Sequence, residues 1–276
     1  MTRAISIVVL CALFGGIALC APDAVASDNQ TEVLSVEVQK QLDSLSKPRL
    51  GYMDIYALVI GGDAGDPVFQ REVTTVKRRL EERLGASGRV VVLVNSNEQP
   101  SAYATVSSID KVIREMGKRM DRGRDLLFVH LTSHGSRDHH LVLSYKKQEL
   151  KWLGVDDLEI ILRRSEVRHR FILISGCYSG GFIKKLSNED TVVISASGST
   201  VSSYGCGAAS AITDFSKAFY VRALGQTRQL VDASRLAMQL VHEDETQRGI
   251  SHSYPQLSIG ANMYEYLRTL AAETAP

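Results

Sequence analysis

The sequence carries no surplus of either charge: 32 Lys and Arg stand against 31 Asp and Glu, intermingled, for a formal net charge of +1. A nucleic-acid backbone is gripped by a basic stripe, and none is present, so nucleic acid is not among the expected partners. There is no internal repeat and no low-complexity tract. Cysteine is scarce, with four in 276 residues. His134, His139 and His140 with Cys177 or Cys206 are the one cluster that could be read as a metal site, but no two cysteines show the short C-x2–4-C spacing of zinc sites, so no metal is expected. The G-x-S-x-G elbow of serine hydrolases is missing too, because Tyr178 occupies the centre of Gly176 to Gly180.

Long apolar runs are also lacking. The stretch Ile5 to Leu19 is shorter than the ~20 residues a spanning helix needs. It follows Arg3 and precedes the small-x-small site Ala24-Val25-Ala26, the layout of a secretory signal peptide over residues 1–26. The expectation is an exported protein, periplasmic or secreted, with no stable membrane insertion once the signal is removed. Leu19 stands before Cys20 where a lipoprotein signal carries a small residue, so no lipid anchor is expected. Signal removal takes Cys11 and Cys20 with it and leaves Cys177 and Cys206, read as two free thiols.

What remains is ordinary for a folded domain, with 44% hydrophobic and 23% charged residues. Residues 27–50 form a polar extension, with loosely spaced Val33, Val36, Val38, Leu42 and Leu45 indicating a short helix or a mobile lead-in that ends near Pro48. Residues 51–272 form one domain. Short apolar runs at 54–62, 89–95, 125–132, 170–176 and 191–196 read as buried strands, and Gln256 to Ile259 as a last one. Between them, 3.6-residue periodicity predicts helices over Glu72–Leu84, stopped by Gly85, over Ser108–Met120, capped by Ser107, and over Val155–Arg164. Further helices are predicted over Ile212–Leu224, Leu230–Glu243 and Met263–Leu270, and an exposed β excursion over His139–Lys147. Strands apolar on both faces and alternating with helices call for an α/β fold with a mostly parallel sheet flanked by helices on both faces.

Ligands of such sheets bind beyond the carboxyl ends of the strands. Two chemically capable residues fall there. The run RFILIS ends in Gly176-Cys177 and a Gly-rich turn, and the run DLLFVHLTS ends in His134-Gly135. Either alone reads more readily as structure, since free cysteine is among the most buried residue types. Together on neighbouring parallel strands they form a nucleophile and its proton carrier.

The sequence resembles the legumain-like cysteine peptidases, the asparaginyl endopeptidases, in particular their short secreted bacterial members. The likeness runs from about Tyr56 to Gly260 and rests on LTSHGS at Leu131 to Ser136, SGCYSGGF at Ser175 to Phe182, SSYGC at Ser202 to Cys206, and TDFSKAF at Thr213 to Phe219. It implies a caspase-like three-layer sandwich and an endopeptidase acting on peptides or proteins, with no metal or organic cofactor. Cys177 would be the nucleophile, His134 the general acid and base, and the N–H groups of Gly135 and Cys177 the oxyanion donors. Arg71, Ser202, Ser203 and Asp214 would form the pocket for Asn, and Asp is the next candidate. An Arg and an Asp together suit a carboxamide, which offers one acceptor and two donors.

The chain departs from the animal and plant pattern at Phe69, Glu72 and Ser175, where those members carry Asn, His and Glu. Two other readings keep the fold: a transpeptidase or ligase using the same pair, and a non-catalytic envelope binding protein.

Overall fold

Each central strand alternates its side chains between two cores, and this builds the three layers. The computed structural model describes residues 34–97, 103–145 and 148–273. The signal peptide predicted over residues 1–26 lies outside them, as do Lys146 and Lys147 of the predicted excursion. The main sheet comprises β1 (Ile55–Gly61), β2 (Val90–Val94), β3 (Leu126–Thr132), β4 (His169–Ser175), β5 (Thr191–Ser195) and β6 (Gln256–Ile259), in the order β6-β5-β4-β3-β1-β2. All neighbours are parallel except β6, which runs antiparallel to β5.

Ile55, Ala57 and Val59 of β1 join one core with Phe128, Phe171 and Leu173. Tyr56, Leu58 and Ile60 join the other with Leu127, Val129 and Ile172, as the two-residue period of a strand requires. The first core is closed by α2 (Pro67–Leu84), a helical stretch from Asp214 to Gln226, α5 (Leu230–Arg248) and α6 (Met263–Glu273). The second is closed by α1 (Val36–Asp43), α3 (Val106–Arg119) and α4 (Val155–Arg164). The mostly parallel sheet with helices on both faces is the architecture expected from the sequence.

The differences lie at helix ends. α2 starts at Pro67 rather than Glu72, because proline is preorganised for the first turn. α3 is capped by Thr105, whose hydroxyl accepts from Ser108 N, rather than by Ser107. α5 runs on to Arg248, where Gly249 ends it in a left-handed conformation. Within 214–226 the segment Lys217–Ala223 is π-helical, a wider turn that the spacing does not announce. The predicted excursion contains two short strands, His140–Leu141 and Ser144–Tyr145.

Two features position the site. From β1 the chain goes to β2 on one side and then crosses to β3 on the other, so a topological switch point lies between β1 and β3. In addition, β1, β3 and β4 end level, with Gly61 registered to Thr132 and Thr132 to Ser175.

Candidate active site

His134 lies two residues beyond Thr132, and Cys177 two residues beyond its registered partner Ser175. The two chains leave the sheet side by side and touch: a Cβ on Gly135 would overlap the Cys177 carbonyl, so only glycine fits. Gly135 forms an isolated bridge with Leu141. The bonds of that bridge are made by its neighbours, Ser136 N to His140 O and Val142 N to His134 O, leaving the Gly135 N–H out of it. After Cys177 the backbone turns through Tyr178, a non-glycine residue at φ 56°, the kind of strained position found at functional sites. His139 seats that turn, with Nδ1 3.1 Å from Tyr178 O.

The imidazole of His134 is one-third exposed and has its Nε2 2.6 Å from Oδ2 of Asp66. Asp66 is the N-cap of α2, yet its side chain makes no capping bond and turns to His134 instead. The ring also packs edge-on against Phe69, centroids 5.0 Å apart. Interaction with the Cys206 thiol is the main influence raising the pKa of His134 to about 9; burial opposes it, and Asp66 adds to it. The imidazolium therefore persists through neutral pH and is lost as pH rises through about 9.

Cys177 is half-buried, and its sulfur lies 3.7 Å from Ser203 O and 3.8 Å from Ser203 Oγ. Ser202, with Arg137 adding to it, holds the Tyr178 hydroxyl below its ordinary pKa. The Arg71 guanidinium clamps the same loop further on, donating to Ala208 O and Ser210 O. Asp214 pairs with Arg248. None of these bonds joins Arg71 to Asp214: Ser203 lies at Cys177, Arg71 holds the following loop at Ala208 and Ser210, and Asp214 stands where that loop returns to Tyr204. A cleft of about 410 Å³ lies beside Asp66, lined among others by Gln70, Arg71 and Asn97. A second of about 410 Å³ is lined by Arg137, His139, Tyr178, Ser199 and Thr200.

Beneath the site Glu72 is fully buried. Its carboxylate accepts from Thr213 N at 2.9 Å, Ser216 Oγ at 2.6 Å and His130 Nε2 at 3.1 Å. Tyr220 donates to His130 Nδ1, and Ser175 bonds Thr213. Burial disfavours the Glu72 charge, but the bonds from His130, Ser216 and Thr213 outweigh it and hold the carboxyl below its usual range. Sequence reasoning missed this network and also Asp66. The available signal for Asp66 was Asp66-Pro67 read as N-cap and first helical residue.

The sequence profile of the peptidase C13 family matches residues 101–265, which include His134, Cys177, Ser202, Ser203, Cys206 and Asp214. Among solved structures, caspase-1 from Spodoptera frugiperda superposes with a TM-score of 0.53 at 15% identity, covering 75% of this chain and 86% of that one. That likeness shows the caspase-like fold. A search of curated proteins gave no match.

Proposed function

This chain belongs to the peptidase C13 family and is a cysteine-type peptidase, and on that premise we propose that it is an exported endopeptidase cleaving after Asn, with Asp next in preference. The carrying observation is that His134 and Cys177 leave adjacent parallel strands from registered ends with Gly135 packed on Cys177. In this reading the Cys177 sulfur attacks the scissile carbonyl, and the N–H groups of Gly135 and Cys177 receive the developing oxyanion. His134 gives its proton to the departing amine. It then takes one from the water that opens the thioester, so the sulfur leaves as thiolate and the imidazolium is restored.

Asp66 is a positioning residue here, since its 2.6 Å bond holds the ring and favours the imidazolium. Asp66→Ala is expected to lower kcat by about 10²-fold, the low end for a positioned acid–base system. The alkaline limit of activity should also move down from the region set by the His134 pKa of about 9. A lowered kcat with an unmoved pH profile would remove Asp66 from this role.

For specificity, Ser203 stands at the nucleophile beside its chain neighbour Ser202, while Arg71 holds the loop that leads to Asp214. These groups support a pocket for a carboxamide side chain. The direct experiment takes protein from the exported fraction, with its N-terminus at Ser27, and presents a peptide library. Product mass spectrometry should place the cuts after Asn. Cuts placed without regard to Asn would overturn the specificity, and a retained signal segment would overturn export.

A further inference from the structure

Three arginines attach to the segments that carry Cys177, Ser203 and Asp214, and two of them are already engaged. Arg71 donates to Ala208 O and Ser210 O, and Arg248 is neutralised by Asp214. Arg137 is different. It is exposed, and its side chain makes one hydrogen bond, from Nε to the Tyr178 hydroxyl at 3.4 Å. Both Nη groups of the guanidinium fork are thus without a partner among the described residues, and the charge enters no ion pair there. Its chain neighbour Asp138 is also exposed and is not part of the lining of the cleft beside Arg137.

That cleft, of about 410 Å³, is lined by Arg137, His139, Tyr178, Ser199 and Thr200, with no carboxylate among them. The Ser199 and Thr200 hydroxyls make no hydrogen bond among the described residues. An unpaired guanidinium facing free hydroxyls, with no acid present, is the donor set that a carboxylate calls for. The walls are firmly built. His139 Nδ1 donates to Tyr178 O at 3.1 Å, and a Cβ on Gly181 would overlap the His139 ring. A Cβ on Gly180 would likewise collide with Ser199 N, so the Tyr178 turn is packed on both sides of the cleft.

The topology sets this cleft on the leaving side of the substrate. Arg71 and Asp214, assigned above to the Asn pocket, belong to elements that close the first core. The chain beyond Arg137 and His139 enters the second core at Leu141, and the chain beyond Tyr178 enters it at Phe182. A peptide laid across the level strand ends with its Asn on the first side continues over the second. An extended chain advances about 3.3 Å per residue, and Tyr178 adjoins Cys177, so the cleft is met within about three residues of the cut.

We propose that this cleft binds an acidic side chain of the substrate shortly after the scissile bond, with the Arg137 fork taking its carboxylate in two parallel hydrogen bonds. The direction of the chain rests on the peptidase reading above; the recognition of the carboxylate does not.

The test uses C-terminally amidated peptides that carry one Asn and, at each of the three following positions in turn, Glu, Gln or Lys. At one position the wild type should cleave the Glu peptide with a kcat/KM about tenfold above its Gln counterpart, the scale of a charge-assisted bidentate pair at an exposed site. Raising sodium chloride from about 0.05 to 0.5 M should shrink that ratio. Arg137→Gln should bring it near unity, and Arg137→Glu should turn the preference to Lys. Binding of the same peptides to Cys177→Ala, followed by fluorescence anisotropy, should show the same order without cleavage. Cuts after Asn with equal rates and equal binding for Glu and Gln at all three positions would overturn the subsite and leave the peptidase reading standing. No cleavage, with a Glu preference in binding that Arg137→Gln abolishes, would do the reverse. A preference retained in Arg137→Gln, or seen only with Glu placed before Asn or only with a free C-terminus, would also overturn the proposal.

Discussion

Cys177→Ala is expected to lower kcat/KM for peptide hydrolysis by about 10⁴- to 10⁶-fold, the scale seen when the nucleophile of a covalent mechanism is removed. The residual rate would come from the oxyanion donors and from binding, both of which the substitution leaves in place. Little stability should be lost, because the thiol is half-exposed and its contacts with Ser203 are long sulfur bonds. Initial rates on an Asn peptide together with a thermal melt separate the two effects. Retention of a tenth or more of the activity in a protein melting like the wild type would show that the acyl group passes through another atom.

Glu72→Ala should have the largest effect on folding. It removes the acceptor shared by His130, Thr213 and Ser216 in a fully buried setting. Breaking a buried ionised network from one side costs about 3–5 kcal/mol, since the remaining donors are stranded without water. Urea denaturation of the two proteins at neutral pH measures this directly. The pH dependence has a definite sign. The folded Glu72 carboxyl lies below its usual range, so its contribution is fully present above the unfolded value of about 4.3. It is lost as pH falls through the lowered folded value. The gap between wild type and variant should therefore narrow at acid pH. A variant within 1 kcal/mol of the wild type at pH 7 would contradict this account, given the ~3–5 kcal/mol expected for such a network.

The placement of Glu72 shows why some of this molecule can be read from its sequence and some cannot. The strands are legible because RVVVLVN, DLLFVHLT and RFILIS are apolar on both faces, a pattern that only a covered sheet satisfies. His134 and Cys177 are legible because each directly ends such a run beside a glycine. Glu72 looks like the first polar residue of a surface helix, yet α2 begins at Pro67 and turns it inward. Its partners are 58 to 144 positions away. Asp66 was hidden by the same error in the helix start, and its partner His134 lies 68 positions on. For Cys206 the motif SSYGC marks a loop, but nothing local to it names the imidazole. Chain position is encoded locally; a side chain's partner across the sheet is not.

The level ends of β1, β3 and β4 bear on how this chain tolerates change in length. Asp66, His134 and Cys177 are measured off from registered strand ends, not from the connections between strands. Residues added to a surface connection leave those origins where they are. A single residue inserted within β3 would advance His134 by about 3.3 Å and turn every following side chain to the opposite face. The spacing of the His134 and Cys177 pair is thus inherited from backbone pairing, and length changes are best tolerated in connections that carry none of the residues gathered around it.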